Sequence, residues 1–348
     1  MALLNKIATA GFYLEPTQRK NMNREIDNIL TTLNIQPVLV DIGASDAPPN
    51  VWESIARHSI YVGFDPDQRE LHDIPQGQFS RSIIVNKAVT SISNQSDAHF
   101  YLTHFPYCSS TLPPDTESLA NYLFSDLFVV EREASVPAST LTVILNQLNL
   151  TSVDWFKTDS QGTDLRLFQS LKDELRSRVL AVDIEPGLID AYRGEDLFVE
   201  AHRELLHQGF WLSSLDVEGT IRMRRSTLQT LTSPHQKLND THFYQSVRQS
   251  PGWCEARYLR TIESLQEQNA EAREYVLLWV FCMIEKQWGF ALDIACAYDQ
   301  KFTKDSTSSL LHNLPLSLII KKNRNVLTIT KRILPNQLKH FIKNLIQW

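Results

Sequence analysis

Short apolar segments alternate with helical segments over residues 37–209, and this alternation is the feature that most constrains the fold. Unbroken apolar runs are typical of strands buried on both faces, as in parallel sheets, and the helices between them form right-handed crossovers. We therefore predict an α/β fold with a doubly wound, mostly parallel sheet. The predicted strands are residues 38–40, 60–64, 82–89, 153–159 and 178–186.

The predicted sheet ends in an antiparallel hairpin. Residues 210–217 and 220–225 both have strand character, and the Glu218-Gly219 pair between them suits a tight turn. Earlier in the chain, residues 97–136 interrupt the regular pattern with two strand-like stretches around a polar, proline-rich loop.

Helical additions are predicted at both ends of the chain. Apolar residues recur at helical spacing in residues 17–34, and residues 253–298 are interpreted as helices with an apolar core. Residues 314–348 are expected to hold short strand-like and helical pieces. We divide the chain into an N-terminal helical extension (1–36), a main domain (37–230) and a mostly helical C-terminal accessory region with a basic tail (231–348).

Charge is distributed unevenly along the chain. Residues 1–300 carry 25 basic and 39 acidic side chains, a net charge of -14, whereas residues 301–348 carry 9 and 1, a net charge of +8. Because a nucleic-acid-binding domain needs a basic surface, we expect no nucleic-acid partner for the main domain. The most apolar stretch, residues 275–284, is about half as long as a membrane-spanning helix and predicts a buried core helix.

The basic tail has the pattern of an amphipathic helix. Its apolar residues fall on one helical face, and lysines lie beside that face. Such a helix could dock on the acidic main domain or make peripheral contact with an anionic membrane, and we favour the first. The apolar residues are Leu338, Phe341, Ile342, Leu345 and Trp348.

The cysteines indicate neither a disulfide framework nor a zinc site. They are widely and unevenly spaced, without a C-x-x-C pair or a Cys/His quartet. We therefore expect reduced thiols in a cytoplasmic protein and no metal site.

The end of the first predicted strand, residues 41–46, indicates which ligands suit the fold. It contains a single glycine, Gly43, so the G-x-G-x-x-G loop that brings backbone against a pyrophosphate is missing. This disfavours NAD and FAD. Asp65 ends the second strand about twenty residues later, where a carboxylate can accept hydrogen bonds from both ribose hydroxyls. Together these features fit an adenosyl cofactor without phosphates, S-adenosylmethionine, although an ordinary strand-to-helix turn explains residues 41–46 equally well.

Candidate catalytic groups follow the next two strands. Lys157 and Asp159 are two residues apart and therefore project to the same side of a strand. Asp159 is the favoured base or acceptor-orienting group, with Lys157 favouring its ionised form, and Glu185 could reach the same pocket. A structural ion pair between Lys157 and Asp159 is the competing interpretation. His104 is a further candidate base, but a lone histidine beside aromatic residues is more often structural.

The order of these motifs resembles the FkbM-type methyltransferase family. The resemblance covers roughly residues 37–225 and is most specific at Lys157-x-Asp159-x-x-Gly162. It implies a class I (Rossmann-like) methyltransferase fold and methyl transfer from S-adenosylmethionine, often to a hydroxyl of a sugar or other natural product. It also implies roles for cofactor-binding residues, with Asp41 and Gly43, Ala44 and Ser45 at the methionine end, Asp65 at the ribose and Asn86 near the adenine.

The sequence departs from the family pattern at two positions. The family usually has acidic residues where Gln161 and Thr142 stand, and both departures bear on catalysis more than on cofactor binding. We therefore predict an O-methyltransferase acting on a small-molecule or glycan acceptor, shaped by residues 97–136 and the C-terminal helices. The alternatives are a non-catalytic binding module with a decayed methyltransferase core and, less favoured, a nucleotide-dependent oxidoreductase.

Overall fold

The computed structural model describes residues 14–45, 47–66, 77–232 and 240–333, which form an α/β structure. Contacts divide the chain into two units, one of residues 36–274 and one that joins residues 1–35 to residues 275–348. The predicted boundary after residue 36 lies at this division, whereas the one after residue 230 falls inside the first unit.

A seven-stranded sheet forms the centre of the first unit in the described part of the chain. Its strand order is β3-β2-β1-β7-β8-β10-β9. The first five strands in this order run parallel, whereas β10 runs antiparallel to both β8 and β9. The prediction of a mostly parallel α/β sheet is therefore confirmed. The strands are β1 (Val38–Ile42), β2 (Ile60–Phe64), β3 (Arg81–Val85), β7 (Trp155–Thr158), β8 (Ala181–Ile184), β9 (Phe210–Thr220) and β10 (Ser250–Arg260).

The central strands are apolar because both faces of the sheet are covered. All residues of β1 and β2 are buried, as expected from their unbroken apolar sequences. On one face, helices α3, α4 and α6 contribute to a single large apolar core with the strands. The helices of the first unit are α2 (Thr116–Leu119), α3 (Leu141–Gln147), α4 (Asp164–Gln169), α5 (Asp173–Arg176), α6 (Phe198–His207), α7 (Arg225–Thr232), α8 (Asp240–Ser246) and α9 (Ile262–Glu267).

The opposite face of the sheet is built around aromatic rings. Trp52 lies in a 3₁₀ turn, Asn50–Ser54. Its ring contacts Trp155 and Tyr61 edge-on, with centroids 5.9 and 6.2 Å apart. The short turn is therefore held by aromatic packing onto β2 and β7.

A smaller, three-stranded sheet lies between β3 and α3 in the chain. Its central strand, β6 (Val130–Ser139), pairs in parallel with β4 (Ala88–Val89) and antiparallel with β5 (Asp97–Thr103). The two strand-like stretches predicted within residues 97–136 are thus paired with each other. The predicted third strand, residues 82–89, is divided between β3 of the large sheet and β4 of the small one.

The second unit is helical in its described part. It contains α1 (Pro16–Thr32), most of α10 (Ala272–Ile284), α11 (Trp288–Lys301) and α12 (Ser306–Ile333). Helix α1 confirms the predicted N-terminal helix, and α10 is buried through its apolar centre. No helix in the described ranges combines the length and the hydropathy that crossing a membrane requires. The predicted amphipathic tail, residues 334–348, lies outside the described residues.

The terminal hairpin was predicted wrongly. Instead of turning at Glu218-Gly219, β9 continues through both residues and pairs with β10, thirty residues further along the chain. Residues 250–260 therefore form a strand, although most of them were predicted as helix, because alternate residues such as Cys254, Ala256 and Tyr258 are buried. Strand-like pieces were also expected within residues 314–348, but the described part of this segment, up to residue 333, is a continuation of helix α12.

A buried ion pair ties β1 and β7 together at the edge of the sheet opposite their carboxyl ends. The Asp154 carboxylate is 1% exposed, accepts the Val38 N–H at 2.7 Å, and accepts two N–H groups of Arg273 at 2.8 Å each. Three donors thus satisfy a charge that is otherwise costly to bury.

Removing this carboxylate should destabilise the fold. We expect Asp154→Ala to lower the free energy of unfolding by about 3 kcal/mol, because it leaves a buried N–H and a guanidinium without their acceptor. Asp173→Ala is the matched control, since it breaks the exposed Arg176–Asp173 pair, and it should cost less than about 1 kcal/mol. Urea denaturation of both variants measures the difference, and equal losses would contradict the role of Asp154.

Candidate functional site

A cavity of about 340 Å³ opens at the carboxyl ends of β1, β2 and β7. It lies where the strand order reverses, because the chain runs outward from β1 through β2 and β3, and then through β7 and β8 on the other side. In open α/β sheets, ligands bind at such a switch point. The volume is within the range of small-molecule sites.

The floor of the cavity is formed by the residues that follow β1, β2 and β7, and its shape depends on Gly43. This residue has φ = +82°, and a Cβ atom there would lie 2.3 Å from the carbonyl oxygen of Asp159. Gly43 and Ala44 donate their N–H groups to the Phe64 carbonyl at 2.9 and 3.0 Å, and the Asp159 N–H donates to the Ile42 carbonyl at 2.9 Å. The ends of three strands are therefore held together by backbone contacts that only glycine permits.

Several predicted cofactor-binding residues lie on this floor. Gly43, Ser45 and Asp65 line the cavity, and the side chain of Asp65 is buried at the end of β2. The Asn86 amide donates to the Asp65 carbonyl at 2.9 Å, so it lies beside this residue. Ala44 is buried and is not among the lining residues.

Asp159 faces the same cavity and belongs to a polar network. The Gln161 amide donates to Asp159 Oδ1 at 2.6 Å, and Gln161 Oε1 lies 2.9 Å from the Tyr192 hydroxyl. Gln161 also accepts a hydrogen bond from Ser110 through its backbone carbonyl, at 2.7 Å. The glutamine at this departure from the family pattern therefore orients Asp159 and joins three loops.

Glu185 contacts Asp159 from the end of β8, behind the cavity lining. Burial, followed by the charges of Asp159 and Asp164, raises the pKa of Glu185 well above its ordinary value, and a hydrogen bond joins its carboxyl group to Asp159. At neutral pH, Glu185 therefore keeps its proton and shares it with Asp159.

Asp164, at the start of α4, connects the ends of β7 and β8. Its side chain is 1% exposed and accepts hydrogen bonds from Thr158 Oγ1 at 3.1 Å, from the Ser160 N–H at 2.9 Å and from the Glu185 N–H at 2.9 Å. Burial raises the pKa of Asp164 to about 6, while hydrogen bonds from Ser160 act in the opposite direction. Asp164 was not identified as a site residue from the sequence.

Lys157 is bound to Asp41 rather than to Asp159. Its ammonium lies 2.7 Å from Asp41 Oδ1, and Asp41, 2% exposed, also accepts the Tyr61 hydroxyl at 3.0 Å. Neither Lys157 nor Asp41 is among the cavity-lining residues. Burial acts to lower the pKa of Lys157, but the Asp41 and Asp159 carboxylates outweigh it and raise the pKa.

This ion pair is part of a row of alternating charges across the sheet. Asp41, Lys157, Asp183 and Arg257 face one another in register on four neighbouring strands. Arg257 binds both carboxylate oxygens of Asp183 at 2.7 Å. The row supports the sheet beneath the site, since each charge has an opposite neighbour.

The small sheet supplies the outer wall of the cavity, through residues that include Phe100, Leu102 and Arg132. His104, the further candidate base, also lines the cavity, but it is largely exposed and its Nδ1 lies 2.8 Å from Glu131 Oε1. In the described ranges, no three His, Cys, Asp or Glu side chains form a group that could hold a metal ion.

The sequence analysis missed two residues beside the site, the buried Tyr192 and the half-buried Glu195. The Tyr192 hydroxyl, besides its contact with Gln161, lies 2.8 Å from the Cys108 carbonyl. Burial raises the pKa of Glu195 to about 7, although the Tyr192 and Ala191 N–H groups act to lower it. Neither residue belongs to a recognisable motif, so the only sequence signal was their position after β8. The other departure, Thr142, is buried in α3 and is not among the cavity-lining residues.

Glu185→Gln should flatten the dependence of stability on pH. Because the folded protein holds the Glu185 proton at a pH where the unfolded chain has released it, stability falls as pH rises from about 5 to 8. The neutral amide cannot titrate. Between pH 5 and 8, the variant should therefore lose less of its free energy of unfolding than the wild type does, by at least about 1 kcal/mol.

Urea denaturation at both pH values measures this change. Glu117→Gln, which neutralises an exposed carboxylate in α2, serves as the control and should retain the pH dependence of the wild type. A Glu185→Gln variant as pH-dependent as the wild type would show that Glu185 does not hold the proton.

Comparisons with known proteins do not identify a relative of this chain. No protein-family model matches the sequence, and a search of curated proteins found no significant match. The argument for a function therefore depends on the fold and on the geometry of the site.

Proposed function

We propose that the protein is a methyltransferase that uses S-adenosylmethionine, and that it methylates a hydroxyl group of a small molecule or glycan. The observation that carries this proposal is the position of Asp65. A buried carboxylate at the end of β2 lines the same cavity as Gly43 and Ser45, at the switch point of the sheet. Such a carboxylate suits a ribose diol, and the loop after β1 lacks the glycines of a pyrophosphate site.

The topology supports the same proposal. Numbered along the chain, the strands of the large sheet follow the order 3-2-1-4-5-7-6, and the seventh strand alone is reversed. This order is compatible with the class I (Rossmann-like) methyltransferase fold that the resemblance to the FkbM-type family implies. Because one fold supports many activities, the topology strengthens the proposal without specifying the reaction.

The residues on the cavity floor fit this cofactor by their chemistry. Asp65 would accept the ribose hydroxyls, Asn86 would act beside it near the adenine, and Gly43 and Ser45 would hold the amino-acid end. Asp41 would support the floor from beneath without contacting the cofactor, because its carboxylate already accepts hydrogen bonds from Lys157 and Tyr61. When bound, S-adenosylmethionine supplies an electrophilic methyl group.

Asp159 is the residue best placed to take the proton of an acceptor hydroxyl. It lines the cavity, and Gln161 fixes its orientation while Tyr192 fixes Gln161. Glu185 lies behind it as a protonated partner, so the pair holds one proton before the reaction and two after Asp159 has taken the proton of the acceptor hydroxyl. Since an in-line displacement mainly requires alignment, the protein contributes chiefly by orienting the acceptor and removing its proton.

Asp65→Ala should weaken the binding of S-adenosylmethionine by about 1–3 kcal/mol, because the ribose hydroxyls lose their acceptor. Isothermal titration calorimetry measures this loss. Glu218→Ala, on strand β9 at the other edge of the sheet, is the control and should bind as the wild type does. An unchanged dissociation constant for Asp65→Ala would contradict the proposed ribose site.

Asp159→Asn should reduce turnover by about 10²- to 10⁴-fold while leaving cofactor affinity nearly unchanged, because the amide cannot accept the hydroxyl proton. The assay follows methyl transfer to acceptors found by screening glycans and natural products for methylated products. Retained turnover in this variant would show that a residue other than Asp159 is the base. If the wild type binds the cofactor but methylates no acceptor, a non-catalytic binding module becomes the better assignment.

A further inference from the structure

The two faces of the small sheet differ in chemistry. Arg132 in β6 is paired in register with Leu102 in β5, and Ala134 is paired with Phe100. Residues two apart project to the same face, so Arg132 shares its face with Phe100 and Leu102, and all three line the cavity. Arg132, an exposed residue, thus lies beside two aromatic or aliphatic residues on the cavity side of the wall.

The neighbouring glutamates do not pair with Arg132. Glu133, which is opposite Tyr101, projects to the other face, whereas Glu131 lies at a bulge in the β5–β6 pairing and itself lines the cavity. Glu131 lies 2.8 Å from His104, and Glu133 lies 3.1 Å from His99. Among the described residues, Arg132 forms neither an ion pair nor a side-chain hydrogen bond.

The charges that line the cavity are separated in space. Asp65 and Asp159 are on the floor, whereas Lys87, Arg132 and Glu131, which binds His104, are on the wall. Lys87 precedes Ala88, which pairs with Ala138, and Ala138 is six residues, or about 20 Å, along β6 from Arg132. The two cations therefore lie at different ends of the cavity, with Lys87 near Asp65 and Arg132 near His104.

We propose that Arg132 is a specificity-determining residue and that the acceptor carries an anionic group, a carboxylate or a phosphate, which Arg132 binds. This inference rests on the proposed function, because it assigns the Asp65 end of the cavity to the cofactor and the Arg132 end to the acceptor. A guanidinium presents two parallel N–H donors to either anion and remains charged at every relevant pH.

The test measures the binding of matched ligands to protein saturated with S-adenosylhomocysteine, which occupies the cofactor end without allowing turnover. Glucose, glucuronate and glucose 6-phosphate form one series, with neutral, carboxylate and phosphate members on one ring. A second series, 4-hydroxybenzamide and 4-hydroxybenzoate, covers acceptors that are not sugars. Calorimetry at constant ionic strength gives the dissociation constants, and comparison of the two anions identifies the preferred one.

In at least one series, an anionic ligand should bind at least about tenfold more tightly than its neutral counterpart, and Arg132→Gln should abolish this preference. Arg132→Lys should retain part of it, because the charge remains but the paired donors are lost. Lys87→Gln is the matched control, since it removes one cation from the other end of the cavity. It should leave the preference intact.

Equal binding of neutral and anionic ligands in both series would overturn the proposal. So would a Lys87→Gln variant that loses the preference for anionic ligands as fully as Arg132→Gln does. A further arm compares S-adenosylhomocysteine with 5′-methylthioadenosine, which lacks the amino-acid end. If Arg132→Gln weakens the first but not the second, Arg132 binds the cofactor carboxylate and the proposal is overturned. If the wild type does not bind S-adenosylhomocysteine, the proposed function fails. The two ligand series, measured without S-adenosylhomocysteine, then show independently whether Arg132 binds anions.

Discussion

The contact between Gly43 and the Asp159 carbonyl determines where this protein can hold a ligand. A Cβ atom at Gly43 would lie 2.3 Å from that oxygen, so the ends of β1 and β7 approach each other only because residue 43 is glycine. The same turn donates two N–H groups to Phe64 at the end of β2. Three strand ends thereby form one rigid floor, and Asp65 and Asp159 follow directly from two of them. The candidate site is a consequence of how the strands end.

Electrostatics in the site show why Gln161 suits its position. Asp159, Asp164 and Glu185 already lie close together, and burial with mutual repulsion raises the pKa of Glu185. A glutamate at position 161 would place another carboxylate against Asp159, whereas the glutamine donates a hydrogen bond to it at 2.6 Å. The amide at position 161 therefore places a hydrogen-bond donor, and no further negative charge, beside Asp159. In this structure, Gln161 takes part in the polar network of the site.

The sequence predicted the parts of the fold that depend on local pattern and missed those that depend on pairing. Strands β1, β2, β7 and β8 were predicted because burial on both faces makes them uniformly apolar. The partner of β9 was missed because it lies thirty residues away and Glu218-Gly219 resembles a turn. Lys157 was placed with Asp159 from their spacing, but its partner is Asp41, which faces it across β1 and β7. Spacing within one strand indicates a shared face, whereas only register between strands indicates the partner.

The cavity combines a floor and a wall with different constraints. Floor residues are held by backbone contacts between buried strands, so a substitution such as one at Gly43 disturbs the sheet itself. Wall residues alternate along β5 and β6, and β6 is largely exposed, so a change at Arg132 alters the lining with little effect on folding. In the proposed methyltransferase, acceptor preference could therefore change through the wall while the floor, which we assign to the cofactor, stays the same. For this reason, the residues that would select the proposed acceptor should be sought in the small sheet.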